Sequence, residues 1–181
     1  ILYSYDGTFS TAPAGLDRSN GVNEILLNDP LSEIAGSFNP ATGGVVGRGG
    51  FNGVSSSRSW TSPFAADSTH QGTFRAWDIV EGNLVIQDGV TPSAGMSSNR
   101  LAEIIAHEFG HTLGLGHSAD GGALMYANVT GVGPALRDDD RLAARWLYPG
   151  SGSTPTPQPQ PRVPAAPSGL SATVSGTSVQ L

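Results

Sequence analysis

Three histidines and one glutamate fall within a single stretch of eleven residues, His107-Glu108-Phe109-Gly110-His111-Thr112-Leu113-Gly114-Leu115-Gly116-His117. On a helix, His107 and His111 lie one turn apart, about 40° around the axis and ~6 Å along it. Both imidazoles can then reach one metal ion at about 2.0–2.1 Å. Glu108 falls about 100° away, at the edge of the same site, where it can touch a water held by the ion rather than the ion. His117 cannot share that helix and still bind, because six further residues would carry it ~9 Å along the axis and onto another side. The chain must turn after the helix. Gly114 can supply the turn, since glycine enters the left-handed conformation without a side-chain penalty. Three histidines leave a fourth metal position open, the arrangement of a catalytic rather than a structural zinc. At average residue usage, H-E-x-x-H arises by chance in roughly a few per thousand chains of this length. Adding the glycine and the third histidine at fixed offsets lowers that to about one in a hundred thousand.

The pairing of His107 with His111 requires a helix, and the surrounding pattern predicts one. Leu101, Ile104, Ile105, Phe109 and Leu113 recur at one side of a 3.6-residue period. Ser97, Ser98 or Asn99 can cap its start, and Gly114 can end it. A second helix is expected from Asp139 to Leu147, with Asp138-Asp139-Asp140 at its positive end and Tyr148-Pro149-Gly150 stopping it. Residues 1–96 show no convincing helical period and read as strands and loops. The strand candidates are Ile1–Tyr5, Asn23–Asn28, Gly43–Gly47, Thr73–Val80 and Leu84–Ile86, the last two joined by a hairpin turn at Gly82-Asn83.

Composition narrows the function classes. The chain has 181 residues, 25 of them glycine and 13 proline, with 38% apolar and only 13% charged residues. This describes a turn-rich, weakly charged globular chain rather than a charged disordered tail. The net charge is −6, and the nine basic residues are scattered arginines, so no basic patch points to nucleic acid. No run of 18 apolar residues is present, which excludes a helical membrane span. Cysteine is absent, which excludes disulfides, thiol catalysis and cysteine-ligated metal. The start at Ile1, with no signal-peptide pattern, reads as a processed or trimmed chain.

The eleven-residue run resembles the zinc signature of the metzincin metallopeptidases. Ser118 after the third histidine, and Ala123-Leu124-Met125-Tyr126 downstream, resemble the matrixin branch and its Met-turn. Asp139-Asp140 through Leu147-Tyr148 is similar to the end of a matrixin catalytic domain. The resemblance implies that His107, His111 and His117 hold zinc, that Glu108 is the catalytic general base and then the proton donor, and that Met125 lies beneath the metal as a structural thioether. It implies that Thr73–Val80 is the edge strand above the cleft, binding an extended peptide by strand addition. Tyr126–Val129 would wall the pocket for the side chain after the scissile bond. The scarcity of charge around the cleft strand suggests apolar pockets. Calcium is a second candidate cofactor, with Asp67, Asp78, Glu81, Asn83 and Asp88 as candidate oxygen donors. The chain also departs from the family: His70 is its only histidine outside the motif, so the second, histidine-built zinc site of animal matrixins cannot form, and Ala127 stands where a proline commonly follows the Met-turn tyrosine.

The expected architecture is α+β and zincin-like, a mixed twisted sheet with an active-site helix and a C-terminal helix. Residues 1–150 form the catalytic domain, expected to lack the family's N-terminal strand and long helix. Residues 151–164 (SGSTPTPQPQPRVP) are a proline-rich linker. Residues 165–181 resemble the opening strands of a fibronectin type III domain, with two short strands across Ser175-Gly176-Thr177. The expected activity is that of a secreted, extracellular zinc endopeptidase. It would act as a monomer on a protein or peptide bound as an extended strand, with no nucleic acid and no membrane span. The rival readings are another metzincin branch, or a catalytically silent module that keeps the fold for adhesion. Intact Glu108 argues against the silent module.

Overall fold

The computed structural model describes residues 13–16, 20–61, 73–92 and 95–148, with the backbone alone over 56–61 and 73–77, and the strand backbones of 173–175 and 178–180. Two units result, Ile1–Tyr148 and Pro149–Leu181. The larger unit orders as β1 (Glu24–Leu27), β2 (Gly47–Thr61), β3 (Thr73–Ile86), α1 (Ser98–Thr112) and α2 (Asp138–Leu147). The three strands form one mixed sheet in the order β1-β3-β2. β1 runs parallel to β3, with Leu26 opposite Val85, and β2 runs antiparallel to it, with Gly49 opposite Leu84. This is the expected α+β, zincin-like arrangement. Among the described residues no α-helix precedes Ser98. The expected strand at Ile1–Tyr5 lies outside the described residues.

Three expectations about the strands change. First, Leu84–Ile86 is not a separate strand after a hairpin. β3 runs unbroken through Gly82-Asn83. Neither residue turns the chain, because each has another task. A Cβ on Gly82 would lie 2.7 Å from Cβ of Thr112, so this glycine lets α1 approach. Asn83, 1% exposed, accepts from the Glu24 N–H at 2.9 Å and donates to the Gly15 carbonyl and to Glu81. Second, the weak strand read at Gly43–Gly47 only begins at Gly47, and continues as the fifteen-residue β2. Glycine and serine hide that strand from periodicity, since they carry no apolar side chain to alternate. Third, Thr73–Val80 does not lie above the cleft: it pairs only with β2, since β1 meets β3 at Asn83–Ile86, and it is residues 43–49, leading into β2, that line the cleft.

The core explains why the sheet and α1 stay together. Leu84 and Ile86 of β3 pack with Val90 and Ile104 of α1, and Phe38, Val46, Met96, Leu101, Ile105, Phe109 and Val129 close around them. The opposite face of the sheet buries Leu26, Ile34 and Val85 against Leu16. Here the polar residues are carboxylates that clamp backbone. Glu24 accepts from the N–H groups of Ala14 and Gly15, and Glu81 from those of Asn20 and Gly21. Buried charge is tolerated at these positions because backbone donors replace the lost water.

In the smaller unit, β4 (Thr173–Ser175) and β5 (Ser178–Gln180) pair antiparallel, with Val174 opposite Val179. This is the short strand pair expected across Ser175-Gly176-Thr177.

The closest approach of helix to sheet is at Gly49, where a Cβ would lie 2.1 Å from the Glu108 carbonyl oxygen. Neither backbone can yield cheaply. Gly49→Ala is expected to lower unfolding stability by about 2–3 kcal/mol, the upper range for overpacking, whereas Gly50→Ala, which meets nothing within 4 Å, should cost far less. Denaturant titration of the two variants checks this.

Candidate metal and catalytic site

α1 opens at Ser97, whose side chain accepts from the Arg100 N–H at 3.2 Å. It ends at Leu113, and Gly114 follows with φ +82°, the left-handed turn expected of it. The Leu115 N–H returns to the Gly110 carbonyl at 3.1 Å, so the chain reverses beneath the helix. His117 is thereby carried back to the first two histidines. The ring centroids of His107, His111 and His117 are 4.8, 4.9 and 5.3 Å apart. One ligand atom from each lies within 4.8 Å of the others, and among the described residues no other group of three or more His, Cys, Asp or Glu side chains is placed to hold a metal ion.

The imidazoles are oriented by the backbone. Nδ1 of His107 donates to the Leu124 carbonyl at 2.7 Å, and Nδ1 of His111 donates to the Leu115 carbonyl at 2.7 Å. A carbonyl only accepts, so these bonds fix the tautomer and leave Nε2 unprotonated and facing the site. Nε2 of His111 stands 3.2 Å from Nε2 of His117. Two nitrogens at zinc–nitrogen distance in a tetrahedron are about 3.3 Å apart, so this pair is spaced as two ligands of one zinc would be, while the three donor atoms together lie within 4.8 Å of one another. Burial is the main cause that lowers the pKa of both His107 and His111, opposed by those carbonyl bonds. Both rings are therefore biased towards the neutral, metal-binding form at pH 7.

Glu108 lies in the same cleft and is 5% exposed. Burial pushes its carboxyl up to about 7, while the Gly49 backbone N–H and the Arg48 guanidinium pull it down. A group near neutrality can both take and return a proton. Gly47 and Gly49 make room for it. A Cβ on Gly47 would stand 2.9 Å from Cγ of Glu108. These two glycines were not among the expected site residues. Their signal was a glycine at alternate positions, which places both on one face of a strand.

Met125 is 2% exposed and packs against α1 at Gly110. A Cβ on Gly110 would lie 2.3 Å from its sulfur, so the central glycine of the motif is the groove that seats the thioether. The turn is held by α2. Asp140, 1% exposed, accepts from the N–H groups of Leu124 and Met125 at 2.9 Å each, and from Arg137 at 2.7 Å. Ser118 donates to Asp139 at 2.6 Å, and its N–H bonds the Met125 carbonyl at 2.8 Å. Asp140 thus fixes Leu124, whose carbonyl orients His107. On α1, a turn before His107, Glu103 clamps backbone in the same way. It is 4% exposed and accepts at 3.0 Å from each of the Thr130, Gly131 and Gly133 N–H groups. Sequence reasoning missed it, because an acid on a helix reads as a solvated face.

The cleft encloses about 730 Å³. Its floor is α1 from Arg100 to His111, one wall is Tyr126–Val129, and the other is residues 43–49 at the start of β2. Of the candidate calcium donors, Glu81 and Asn83 are occupied in clamping Gly15, Asn20 and Gly21. Asp67 and His70 lie outside the described residues.

A sheet-and-helix fold that converges three histidines and a buried glutamate in one cleft defines the zincin class of metallopeptidase architecture. The matrixin family profile matches residues 19–149, and the chain belongs to that family. Matrix metalloproteinase-18 of Xenopus laevis is 50% identical over 48 residues, 25% of this chain and 10% of that protein. Interstitial collagenase of Equus caballus is 36% identical over 76 residues, 41% of this chain and 16% of that protein. Karilysin of Tannerella forsythia is 48% identical over 48 residues, 26% of this chain and 10% of that protein. The chain thus spans only 10–16% of the length of these relatives. No solved structure gave a significant match.

Asp140→Ala removes the acceptor for three backbone N–H groups, two of them in the Met-turn. Leaving buried donors unpaired costs about 1–3 kcal/mol each where they cannot rehydrate, so a loss of about 3 kcal/mol is expected. Zinc affinity should fall with it, because Leu124 no longer holds His107. Thermal unfolding with and without added zinc reads both effects.

Proposed function

We propose that this chain is a zinc-dependent endopeptidase domain that hydrolyses peptide bonds in extracellular proteins. The observation that supports this most is the convergence of three oriented histidines with a buried carboxylate in one cleft. His107, His111 and His117 would hold the ion, which would supply Lewis acidity to the substrate carbonyl. Glu108 takes a proton from the attacking water and passes it to the leaving amine. The raised pKa suits both halves of the task. Burial against Gly47 and Gly49 keeps bulk water from competing for the carboxylate.

Substrate binding follows from the edge of the sheet. β2 pairs with β3 on one side, and its opening residues wall the cleft on the other. An extended peptide laid along residues 43–49 would add a strand there, with its backbone satisfied by β2 and its side chains alternating into the cleft. Tyr126–Val129 forms the pocket for the side chain after the scissile bond. The protein works as a secreted monomer on protein or peptide substrates. No helix among the described residues is long and apolar enough to cross a membrane. Residues 165–181 are read as the start of a fibronectin type III-like domain, in keeping with the β4–β5 pair, and residues 151–164 as its linker.

One zinc per chain is the expected stoichiometry by elemental analysis, with activity on casein lost to a chelator and restored by zinc. Because burial holds His107 and His111 below the ordinary histidine value, protons compete for these rings only in acid, below about pH 6.5. Zinc retention is therefore expected to be flat near neutrality and to fall as pH drops. Two zincs per chain, or release that begins above neutrality, would contradict the site.

Glu108→Gln keeps the size of the side chain but cannot accept the water's proton. It should keep zinc and fold while losing at least about 10²–10⁴-fold in rate, the value of general acid–base catalysis. His107→Ala should lose zinc affinity as well as rate. Retention of more than about a tenth of the activity by Glu108→Gln would sink the mechanism while leaving the metal site standing.

A further inference from the structure

We propose that Arg100 is a specificity residue that reads a carboxylate on the leaving-group side of the scissile bond. This deepens the endopeptidase reading and rests on its assignment of the Tyr126–Val129 wall. Two arginines line the cleft, Arg48 and Arg100. They differ in what they do. Arg48 donates from its guanidinium to the Glu33 carbonyl at 3.3 Å. Arg100 is exposed, and its bond to Ser97 is made by the backbone N–H, which leaves the guanidinium without a partner among the described residues.

The position of Arg100 follows from helix geometry. It precedes His107 by seven residues, which places it about 20° from His107 around the axis and ~10.5 Å along it. It therefore lies on the cleft face of α1, two turns from the metal ligands. Glu103 and Ile104 lie between them on the same floor. Glu103 does not neutralise it by contact, because both carboxylate oxygens are taken by the N–H groups of Thr130, Gly131 and Gly133. The same three bonds draw the loop after Tyr126–Val129 onto this end of the helix. Arg100 thus sits beyond the pocket for the residue after the scissile bond. For a peptide running along α1, the separation of ~10.5 Å corresponds to about three residues at ~3.4 Å each.

The placement is also unfavourable for the helix itself. The first turn of α1 holds Arg100 and no acid, although the positive end of the helix dipole favours the reverse. The cleft floor thus carries a guanidinium without a contacting acid partner among the described residues. A carboxylate suits it, from one of two sources. One is an acidic side chain within about three residues after the scissile bond. The other is the free C-terminus of a peptide ending there. The expectation of apolar pockets rested on the low charge around the cleft strand, whereas Arg100 lies on the helix.

The test uses the full chain loaded with zinc and a set of quenched fluorescent peptides. In one arm, glutamate replaces glutamine at the first, second or third position after the scissile bond, with the C-terminus amidated. In the other arm all side chains are neutral, and a free C-terminal carboxylate three residues on is compared with its amide. Wild type should favour the carboxylate in at least one arm by about tenfold in kcat/KM, the value of a charge-assisted hydrogen bond open to solvent. The arm that responds identifies the source. Arg100→Ala should remove the preference, Arg100→Glu should invert it, and Arg100→Lys should retain some of it. The ratio between paired peptides is internal to each variant, so a general loss of structure does not mimic it. A wild-type ratio within about twofold in every arm, well below that of a charge-assisted bond, overturns the proposal, as does a preference that survives in Arg100→Ala. If zinc-loaded wild type cleaves no peptide in either arm, the endopeptidase reading fails separately. Binding of the same peptides to the zinc-loaded protein, read by fluorescence anisotropy, then decides on Arg100 by the same ratios.

Discussion

The site depends on how closely α1 can approach the sheet. Gly49 meets the backbone of Glu108, Gly47 meets its side chain, and Gly82 meets Thr112. Glycine at these three positions lets a helix lie almost backbone to backbone on two strands, a separation at which any Cβ would intrude. The core pair of Leu84 and Ile86 with Ile104 then closes the remaining space. The same contact buries Glu108, and burial is the first cause of its raised pKa. Close packing and the raised pKa of Glu108 are thus one feature. A helix held further from the sheet would admit water, and the carboxyl would return towards its ordinary value.

Buried carboxylates position the segments that the core does not reach. Asp140 holds the Met-turn, Glu103 holds the loop after the pocket wall, Asp29 accepts from the Glu33 and Ile34 N–H groups, and Glu24 and Glu81 hold Ala14, Gly15, Asn20 and Gly21. Each is an anion facing two or more backbone donors, which offsets the cost of its desolvation. Irregular chain rich in glycine has few side chains with which to pack. Charge-assisted bonds to its N–H groups give it a defined path. Through this means a protein with only 13% charged residues fixes a cleft wall made of loop.

The histidines are held by the same kind of linked contacts. Two carbonyls, of Leu124 and Leu115, set the tautomers of His107 and His111. The Leu124 carbonyl is positioned by a turn that Asp140 clamps and Met125 underpins, and Met125 in turn fits only because residue 110 is glycine. A chain of contacts therefore runs from the N-terminus of α2 to the metal-facing nitrogen of His107. The acids of α2 that suit a helix terminus are the same groups that brace the site.

The sequence by itself determined the three-histidine cluster and the helices around it. Histidine spacing, the period of Leu101 to Leu113, the turn at Gly114 and the acidic start of α2 are all local, and local geometry on a helix is set within a few residues. Only tertiary structure decided the sheet. β2 is built of glycine and serine, so its identity as the cleft edge rests on pairing with β3 rather than on any pattern of its own. Gly82-Asn83 has the chemistry of a turn, yet remains extended because Thr112 and the clamp around Glu24 and Glu81 claim those two residues. The roles of Glu103 and Asp140 were equally invisible. A carboxylate on a helix has the same sequence signature whether it faces solvent or backbone, and only the packing of distant segments distinguishes the two.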